Sequence, residues 1–265
     1  MNAVIAVPRH LTYTARWELV SYAKHYNRFR GVKAIDQPIA AAAAYHLHTK
    51  KGDGKAVLVF HLGGRTSDAT LFKFLNGTAH YINARSDLFL GGNSFAVAGD
   101  DFTARIVDYL VDLIKQRHQR DIRQDKEALL RLRIACEHAK KALSEQEETL
   151  VHIDSFIDGA SFSAPLTRAK LEELNQDLFE RAMGLVDEVV MGSGQPDMVD
   201  EILLVGGSAR IPKVRQLVKD YFHGRAPNSR KGMESEEAVV QGTVILSRPE
   251  AARYVEECFE QLYGG

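Results

Sequence analysis

This sequence has few cysteines, no long apolar segment and almost no net charge, and each of these features excludes a class of protein. Two cysteines cannot frame a small disulfide-built secreted domain. No apolar run reaches the roughly 18 residues of a membrane-spanning helix. The 34 basic and 35 acidic residues nearly cancel, so no overall positive field favours nucleic acid or a membrane surface. The apolar run before Pro8 is short and lacks a small-residue cleavage pattern, which indicates a strand rather than a signal peptide. We therefore expect a soluble protein of the cytoplasm or nucleus that binds neither nucleic acid nor membrane.

Strands and helices alternate along the first part of the chain, and a meander of strands follows. Residues 3–7 and 31–36 predict short strands, and residues 12–27 between them predict a helix. Pro38 precedes a run of alanines, which is typical of a helix start. Asn76–Gly77 lies between two β-rich runs and predicts a hairpin. This order is typical of an α/β protein.

The second half of the chain predicts longer helices. Residues 101–145 are expected to be helical apart from a loop near 119–124, and Asp158–Gly159 predicts a second hairpin. Thr167 is a typical N-cap for one long helix that follows it, over residues 168–190. Residues 200–222 predict a strand, a glycine turn and a helix, and the last helix is expected at about residues 236–247.

Glycine pairs follow apolar strands at three places, Gly63–Gly64, Gly91–Gly92 and Gly206–Gly207. Backbone amides can approach a phosphate closely where no Cβ intervenes, and a following helix N-terminus adds partial positive charge. Any one pair taken alone is more often a tight turn that leaves a strand. The sequence contains neither GxxxxGK[ST] nor GxGxxG between a strand and a helix, so the common P-loop and dinucleotide-binding motifs are excluded.

The predicted helix over residues 127–146 has two distinct faces. At about 100° per residue, Leu132, Cys136 and Leu143 share an apolar face that predicts core packing. A neighbouring polar stripe contains Glu137, Lys140, Lys141 and Ser144. The stripe is consistent with a solvated surface that carries helix-spaced ion pairs. The alternative is a clamp, in which the carboxylate binds sugar hydroxyls and the lysine stems lie over a base.

Histidine and cysteine are too dispersed to indicate a metal site. His46 and His48 lie two residues apart, a spacing that does not face one ligand on a helix. No further Cys or His completes a set of metal ligands, so we expect no protein-built metal centre.

Four segments, in order, resemble the nucleotide-binding domain of the seventy-kilodalton heat-shock chaperone family. They are "VFHLGGRTSDATLF", "RLRIACEHAKKALS", "VHIDSFIDGASFSAPLTRAKLEELNQDLF" and "EILLVGGSARIPKVRQLVKDYF". The resemblance covers nearly the whole chain, and the last two segments are highly specific. It implies an α/β protein of the actin-like ATPase (ribonuclease H-like) fold, in which ATP or ADP lies in a cleft between two lobes.

The resemblance implies a set of nucleotide-binding residues, position by position. Gly63, Gly64, Thr66 and Gly92 would face phosphates, and the polar stripe Glu137, Lys140, Lys141 and Ser144 would hold the adenosine. Gly206, Gly207, Ser208, Arg210 and Ile211 would complete the pocket, with Glu236 near its rim. Arg65 stands where the family has a third glycine. It either pairs with phosphate oxygens as a bidentate donor or points to solvent.

The catalytic side departs from the family pattern. His61 replaces the first aspartate of the phosphate loop, Gln37 replaces a glutamate, and only Thr66 and Asp68 remain. Hydrolysis of a γ-phosphate depends on oxygen ligands around Mg²⁺ and on a group that orients water. With two carboxylates replaced, Mg²⁺ binding is poorly supported, and the resemblance leaves open whether the chain is an enzyme. Between Gly91–Gly92 and the Asp-Phe that follows, the chain also carries about seven more residues than the family does.

The resemblance also implies a division into domains. Residues 1–50 would be a remnant of the first lobe, residues 51–92 and 185–248 the base of the second lobe, residues 93–184 its helical subdomain and residues 249–265 a tail. The family's first phosphate loop would precede residue 1, and its peptide-binding domain would follow the last residue. We expect the incomplete first lobe to leave strand edges and apolar surface exposed, which favours self-association.

Three functional hypotheses follow. The first is a stress-response chaperone relative that binds ATP or ADP with weak or no hydrolysis, a pseudo-ATPase that cannot clamp peptides directly. The second is a working chaperone ATPase that needs the missing segment from elsewhere. The third is a nucleotide-independent module that binds co-chaperones or nucleotide-exchange factors through the helices of residues 101–184.

Overall fold

The computed structural model describes residues 2–27, 29, 31–49, 51–87, 97–157, 159–248 and 251. The strands are β1 (Asn2–Val7), β2 (Gly31–Asp36), β3 (Ala56–Leu62), β4 (Ser67–Leu75), β5 (Thr78–Asp87), β6 (Glu148–Ile157), β7 (Ala160–Thr167) and β8 (Glu201–Val205). The α-helices are α1 (Tyr13–Asn27), α2 (Gln37–Ala44), α3 (Gly99–His118), α4 (Lys126–Ala142), α5 (Arg168–Leu174), α6 (Gln176–Met191), α7 (Pro212–Tyr221) and α8 (Ala238–Leu246). The alternation expected from the sequence, including the hairpins, is confirmed.

A four-stranded sheet in the order β5-β4-β3-β8 forms the centre of the fold. Strand β3 pairs parallel with β8 and antiparallel with β4. Its sequence is almost uninterruptedly apolar because both faces of the sheet are covered. Phe60 and Leu62 pack in the core that contains α6 and α7, whereas Val57 and Val59 pack in the core that contains α2 and α8. The sheet therefore fixes where the glycine turns after β3 and β8 emerge.

The meander between β4 and β5 follows its turn residues. Asn76 and Gly77 both have positive φ angles, 54° and 87°. These are the angles that a two-residue hairpin turn of the type favoured by Asn-Gly requires.

Strands β1 and β2 form a separate parallel pair, which α2 connects to the central sheet. Helix α2 crosses α8 so closely that a Cβ on Gly242 would lie 1.6 Å from the carbonyl oxygen of Ala40. The alanine run of α2 is buried along this crossing. Only small side chains allow the two backbones to approach in this way.

Asp36, at the end of β2, anchors the small sheet to the large one. Its carboxylate is fully buried and is paired with the guanidinium of Arg16 on α1. It also accepts a hydrogen bond of 2.6 Å from the hydroxyl of Tyr81 on β5. A buried carboxylate with these partners is compensated for its loss of hydration, and the network fixes the position of Gln37, the next residue.

Helix α1 lies on the outside of the β1–β2 pair and exposes large aromatic side chains. Tyr13 and Trp17 are each 60% exposed, as is Tyr22, and Tyr22 stacks on Tyr26. No helix among the described residues combines the length and apolar character needed to cross a membrane.

Helices α3, α4 and α5 pack with the β6–β7 hairpin around a third core. Asp125 caps α4 by accepting a hydrogen bond of 3.0 Å from the amide of Ala128, and Thr167 caps α5 through the amide of Lys170 at 3.1 Å. The expectation of one long helix after Thr167 is wrong. Buried Asn175 separates α5 from α6 because its side-chain amide donates to the carbonyl of Leu171 at 2.8 Å.

Candidate nucleotide-binding site

Two glycine turns meet at the carboxyl ends of the adjacent parallel strands β3 and β8. In the first turn, the amide of Gly63 donates to the carbonyl of Thr66 at 2.9 Å. In the second, Gly206 has a φ of 95°, and a Cβ on it would lie 2.5 Å from the carbonyl oxygen of Leu62. The close approach of these turns therefore requires glycine at position 206. Ligands of open α/β sheets bind at this kind of crevice, outside the carboxyl ends of neighbouring strands.

The first turn of α3 closes the third side of this crevice. The amides of Gly99 and Asp100 donate to the carbonyls of Gly63 and Gly64, each at 2.8 Å. Ser208 also donates to the carbonyl of Gly63, at 3.1 Å. These bonds hold the carbonyls of both Gly63 and Gly64 in place.

A cavity of about 510 Å³ opens beside the glycine turns. Its lining residues are Gly64, Glu137, Lys140, Lys141, Ala142, Ser144, Glu145, Gly207, Ser208, Arg210, Ile211 and Glu236. The volume falls within the roughly 300–1,000 Å³ that is typical of small-molecule sites. No atom lies within 4 Å of the position that a Cβ would take on Gly64 or Gly207, so the cavity is open next to both backbones.

Buried Lys140 and half-buried Glu137 form an ion pair at one wall of the cavity. The Lys140 ammonium lies 2.7 Å from the Glu137 carboxylate and donates to the carbonyl of Gly99 at 2.7 Å and to the hydroxyl of Thr103 at 2.9 Å. Burial lowers the pKa of Lys140 against the opposing effect of Glu137. Burial alone would raise the pKa of Glu137, but hydrogen bonds from Lys140 and Thr103, together with both lysine charges, outweigh it and hold this pKa below its usual value.

Lys141 and Arg210 bring positive charge to the rest of the cavity. The Lys141 side chain is 70% exposed, and its ammonium lies 3.5 Å from the Glu137 carboxylate. Arg210 pairs with Glu145 at 2.8 Å and with Glu236 at 3.2 Å. Burial alone would raise the pKa of Glu236, but its backbone hydrogen bond and Arg210 keep it lowered. The guanidinium is thereby held across the cavity, between the end of α4 and the segment before α8.

The structure brings most of the predicted nucleotide-binding residues together. Ten of them line the cavity: Gly64, Glu137, Lys140, Lys141, Ser144, Gly207, Ser208, Arg210, Ile211 and Glu236. Gly63, Thr66 and Gly206 shape the turns without lining it. The polar stripe of α4 is therefore not a simple solvated surface, because Lys140 is buried.

Two predicted phosphate contacts have a different outcome. The Arg65 side chain is 88% exposed, and its Nε lies 3.4 Å from the carboxylate of Asp100. It does not line the cavity and therefore takes the solvent-facing alternative in this structure. Gly92 lies outside the described residues, as does most of the stretch that was expected to be longer than in the family.

Gln37, His61 and Asp68, from the predicted catalytic side, meet at a separate small cavity of about 10 Å³. His61 Nδ1 lies 3.0 Å from Asp68 Oδ2. Mg²⁺ in nucleotide sites is held by carboxylates and phosphate oxygens in near-octahedral geometry, whereas this cavity offers one imidazole, one amide and one carboxylate already paired with the imidazole. Among the described residues, no group of three or more His, Cys, Asp or Glu is arranged to hold a metal ion. The donor set thus does not fit Mg²⁺.

Sequence reasoning missed three residues of the site. Gly99 supports the Gly63–Gly64 turn, and a Cβ there would lie 2.5 Å from the Ser208 hydroxyl oxygen. Thr103 donates to Glu137 at 2.6 Å, and Glu145 binds Arg210. A glycine followed by two acidic residues at a helix start was the available signal for Gly99; no comparable pattern marked the other two.

The sequence is similar to one family model and to many known proteins. A sequence model of the family described as Hsp70 protein matches residues 1–249. The chain is 42% identical over 245 residues to the heat shock 70 kDa protein BIP3 of Oryza sativa subsp. japonica. The match covers 92% of this chain and 35% of that relative, so the chain spans about a third of the length of that relative. These matches confirm the fold class expected from the sequence, the actin-like ATPase (ribonuclease H-like) fold.

Proposed function

Because the chain belongs to the Hsp70 family, we propose that it is a chaperone-type nucleotide-binding domain that binds ATP or ADP and hydrolyses ATP slowly or not at all. The observation that carries this proposal is the cavity beside the two glycine turns, which collects ten of the residues predicted to bind nucleotide. A nucleotide needs a pocket for its nucleoside and exposed backbone for its phosphates. The cavity provides both within one enclosure.

The charged residues of the cavity suit a nucleotide. The Glu137 carboxylate accepts hydrogen bonds from Thr103 and Lys140. Its remaining lone pairs can accept hydrogen bonds from ribose hydroxyls, which are donors of the same kind. The guanidinium of Arg210 is planar and is held by glutamates, so it can stack on a base. The open glycine backbone at Gly64 and Gly207 lines the same cavity, and phosphates would be placed there.

The expectation of weak hydrolysis rests on the separate small cavity that Gln37, His61 and Asp68 line. Phosphoryl transfer to water depends on positioned charge around the transferred group and on a residue that orients the water. Here Gln37 cannot act as a base, and Asp68 is paired with His61. We therefore expect single-turnover hydrolysis to be slow even when nucleotide is bound.

A thermal-unfolding series on the purified chain tests the proposal. The chain is melted alone, with ATP and with ADP, each with and without Mg²⁺. Nucleotide at about 100 times its Kd should add about 2.7 kcal/mol to the stability, because it binds the folded state only. Lys141→Ala should reduce the shift, whereas Lys126→Ala, on the same helix outside the cavity, should retain it. A cooperative melt that ignores every nucleotide would contradict the proposal.

A second candidate is a nucleotide-independent module that binds co-chaperones. A groove of about 570 Å³ lies between α4 and β6, and Ile134 and Leu150 expose apolar surface along it. Exposed apolar residues in a groove favour protein contacts. This candidate becomes the better one if the melt is cooperative but indifferent to nucleotide, and a pull-down with purified nucleotide-exchange factors would then test it. Ile134→Asp should abolish that binding, whereas Lys141→Ala should not.

A further inference from the structure

Thr103 on α3 has a buried hydroxyl that contacts a wall of the cavity from behind. The residue is 1% exposed. Its Oγ1 lies 2.6 Å from Glu137 Oε2, 2.9 Å from the Lys140 ammonium and 3.1 Å from the carbonyl oxygen of Gly99. Glu137 and Lys140 line the cavity, whereas Thr103 does not. Thr103 can therefore act on a ligand only through these neighbours.

The single proton of the Thr103 hydroxyl is directed to Glu137. A threonine hydroxyl donates once and accepts through its lone pairs, whereas a lysine ammonium only donates. Lys140 therefore donates to Thr103 Oγ1. The Gly99 carbonyl already accepts a hydrogen bond from Lys140, at 2.7 Å. Because the Glu137 carboxylate is both closer than this carbonyl and charged, it is the stronger acceptor for the hydroxyl. Hydrogen bonds thus run from Lys140 to Thr103 and from Thr103 to Glu137.

This arrangement distinguishes the two carboxylate oxygens of Glu137. Oε2 accepts from Thr103 and also lies 2.7 Å from the Lys140 ammonium. Oε1 lies 3.5 Å from the ammonium of Lys141, whose side chain is mostly exposed to solvent. The protein therefore uses Oε2 for its own buried network. Oε1 is the oxygen that can accept a hydrogen bond from a ligand in the cavity.

Thr103 also connects Glu137 to a second helix. Glu137 and Lys140 both belong to α4, three residues apart, so their ion pair alone fixes the carboxylate only relative to its own helix. The Thr103 hydroxyl comes from the first turns of α3. Two hydrogen bonds from two helices restrict the rotation of the carboxylate, and connected buried hydrogen bonds strengthen one another. The direction of Oε1 therefore depends on Thr103.

Resting on the proposed nucleotide site, we propose that Thr103 is a positioning residue that holds Glu137 so that Oε1 accepts a hydrogen bond from a ribose hydroxyl. The cavity then selects nucleotides with intact ribose hydroxyls over their dideoxy forms. A dideoxy sugar leaves Oε1 without its donor, and a site built to hydrogen-bond a hydroxyl rejects the analogue that lacks it. The ligand class is a ribonucleoside di- or triphosphate.

Calorimetric titration of ADP and of 2′,3′-dideoxy-ADP into the full chain tests the inference, through the ratio of the two Kd values. Three variants are titrated beside the wild type: Thr103→Val, Thr103→Ser and Thr70→Val. Valine keeps the shape of threonine and removes the hydroxyl, whereas serine keeps the hydroxyl. Thr70 is the matched control, since it is buried on β4 outside the cavity and its hydroxyl has no hydrogen-bond partner among the described residues. Cooperative melting of every variant is checked first.

The wild type, Thr103→Ser and Thr70→Val should bind ADP about tenfold more tightly than the dideoxy compound. In Thr103→Val this ratio should fall to about one, because ADP loses its contact with Oε1 and the dideoxy compound has none to lose. A Thr103→Val chain that binds both ligands more weakly but keeps the wild-type ratio overturns the inference, since Thr103 would then be structural only. Loss of the preference in Thr103→Ser or in Thr70→Val overturns it as well.

The wild-type titrations separate the inference from the proposed function. If the wild type melts cooperatively but binds neither ligand, the proposed function fails and takes the inference with it. If it binds both ligands equally, the proposed function stands and the inference alone fails.

A second measurement applies if Thr103→Val does not melt cooperatively. NMR of the wild type with labelled threonine methyl groups then replaces it, and Thr103→Ser, which lacks this methyl group, assigns the Thr103 signal. Saturation with ADP should shift this signal clearly more than saturation with the dideoxy compound does. Equal shifts with the two ligands overturn the inference.

Discussion

The ammonium of Lys140 lies 2.7 Å from the carbonyl oxygen of Gly99, so a side chain from the last turn of α4 holds the first turn of α3. Backbone amides of this first turn donate hydrogen bonds to the carbonyls of Gly63 and Gly64. A lysine that lines the cavity beside the glycine turns is therefore also part of the scaffold that shapes the Gly63–Gly64 turn. Changes at Lys140 and at Lys141 should have different consequences, although both residues line the same cavity.

Lys140→Ala should lower the free energy of unfolding by about 2 to 4 kcal/mol, because it leaves Glu137 and the Gly99 carbonyl without their buried donor. Lys141→Ala should change it by less than about 0.5 kcal/mol, since its ammonium is mostly in water. Urea unfolding of the two variants measures the difference. Equal losses in both would show that the burial of Lys140 contributes nothing to the fold.

Gly206→Ala should destabilise the chain by about 2 to 4 kcal/mol, because a side chain at positive φ would meet the backbone of Leu62. Gly207→Ala is the matched control, since a Cβ there meets no atom within 4 Å. Its cost should stay below about 1 kcal/mol. Thermal midpoints of both variants, without nucleotide, provide the comparison. Similar midpoints for the two would contradict the backbone conformation described at position 206.

The chain should lose stability as the pH falls below about 6.5, in part through His48. Burial, with a smaller contribution from His46, lowers the pKa of His48 from 6.5 to about 4. The unfolded chain therefore takes up this proton at higher pH than the folded chain does, which favours unfolding between these values. The loss should be on the order of 1 to 3 kcal/mol by about pH 4.

His48→Leu should remove this part of the pH dependence while preserving the apolar surroundings. His80→Gln, at an exposed position, should retain it. Urea unfolding of the three proteins from about pH 7 to pH 4 gives the slopes. An unchanged slope in His48→Leu would mean that His48 is protonated equally in both states.

Cys136 should be inert in the folded chain. It is fully buried on α4, and burial raises the pKa of its thiol to about 12. Since the thiolate is the reactive form, a disulfide reagent should not label it until the chain unfolds. The measurement is made in a Cys258→Ser background, with and without urea. Rapid labelling under native conditions would instead show that α4 opens readily.

Local chemistry made much of the fold predictable from the sequence. Asn76–Gly77 adopts the positive φ angles of its turn, and Thr167 caps the helix that it was expected to cap. In each case the deciding interaction is within a few residues along the chain. The unbroken apolar run of β3 likewise matches a strand covered on both faces.

Most of the features that escaped prediction depend on contacts between distant segments, whereas the break at Asn175 involves a bond to Leu171, four residues earlier. Asn175 interrupts a helix whose apolar periodicity continues on both sides, and its packing is not encoded in that period. Gly99 becomes a site residue only because α3 starts against the turn that holds Gly63. The burial of Lys140 depends on the same contact, so the polar stripe of α4 does not predict that this lysine is buried.

The exposed aromatic surface of α1 also determines what the chain's intrinsic fluorescence can report. Trp17 is the sole tryptophan, and it lies on α1 rather than in the lining of the cavity proposed to bind nucleotide. Its emission should have the red-shifted maximum of a hydrated indole. Nucleotide that merely fills the cavity should leave that emission unchanged. A blue shift on adding nucleotide would instead report that the α1 surface has become covered, by rearrangement or by a second molecule.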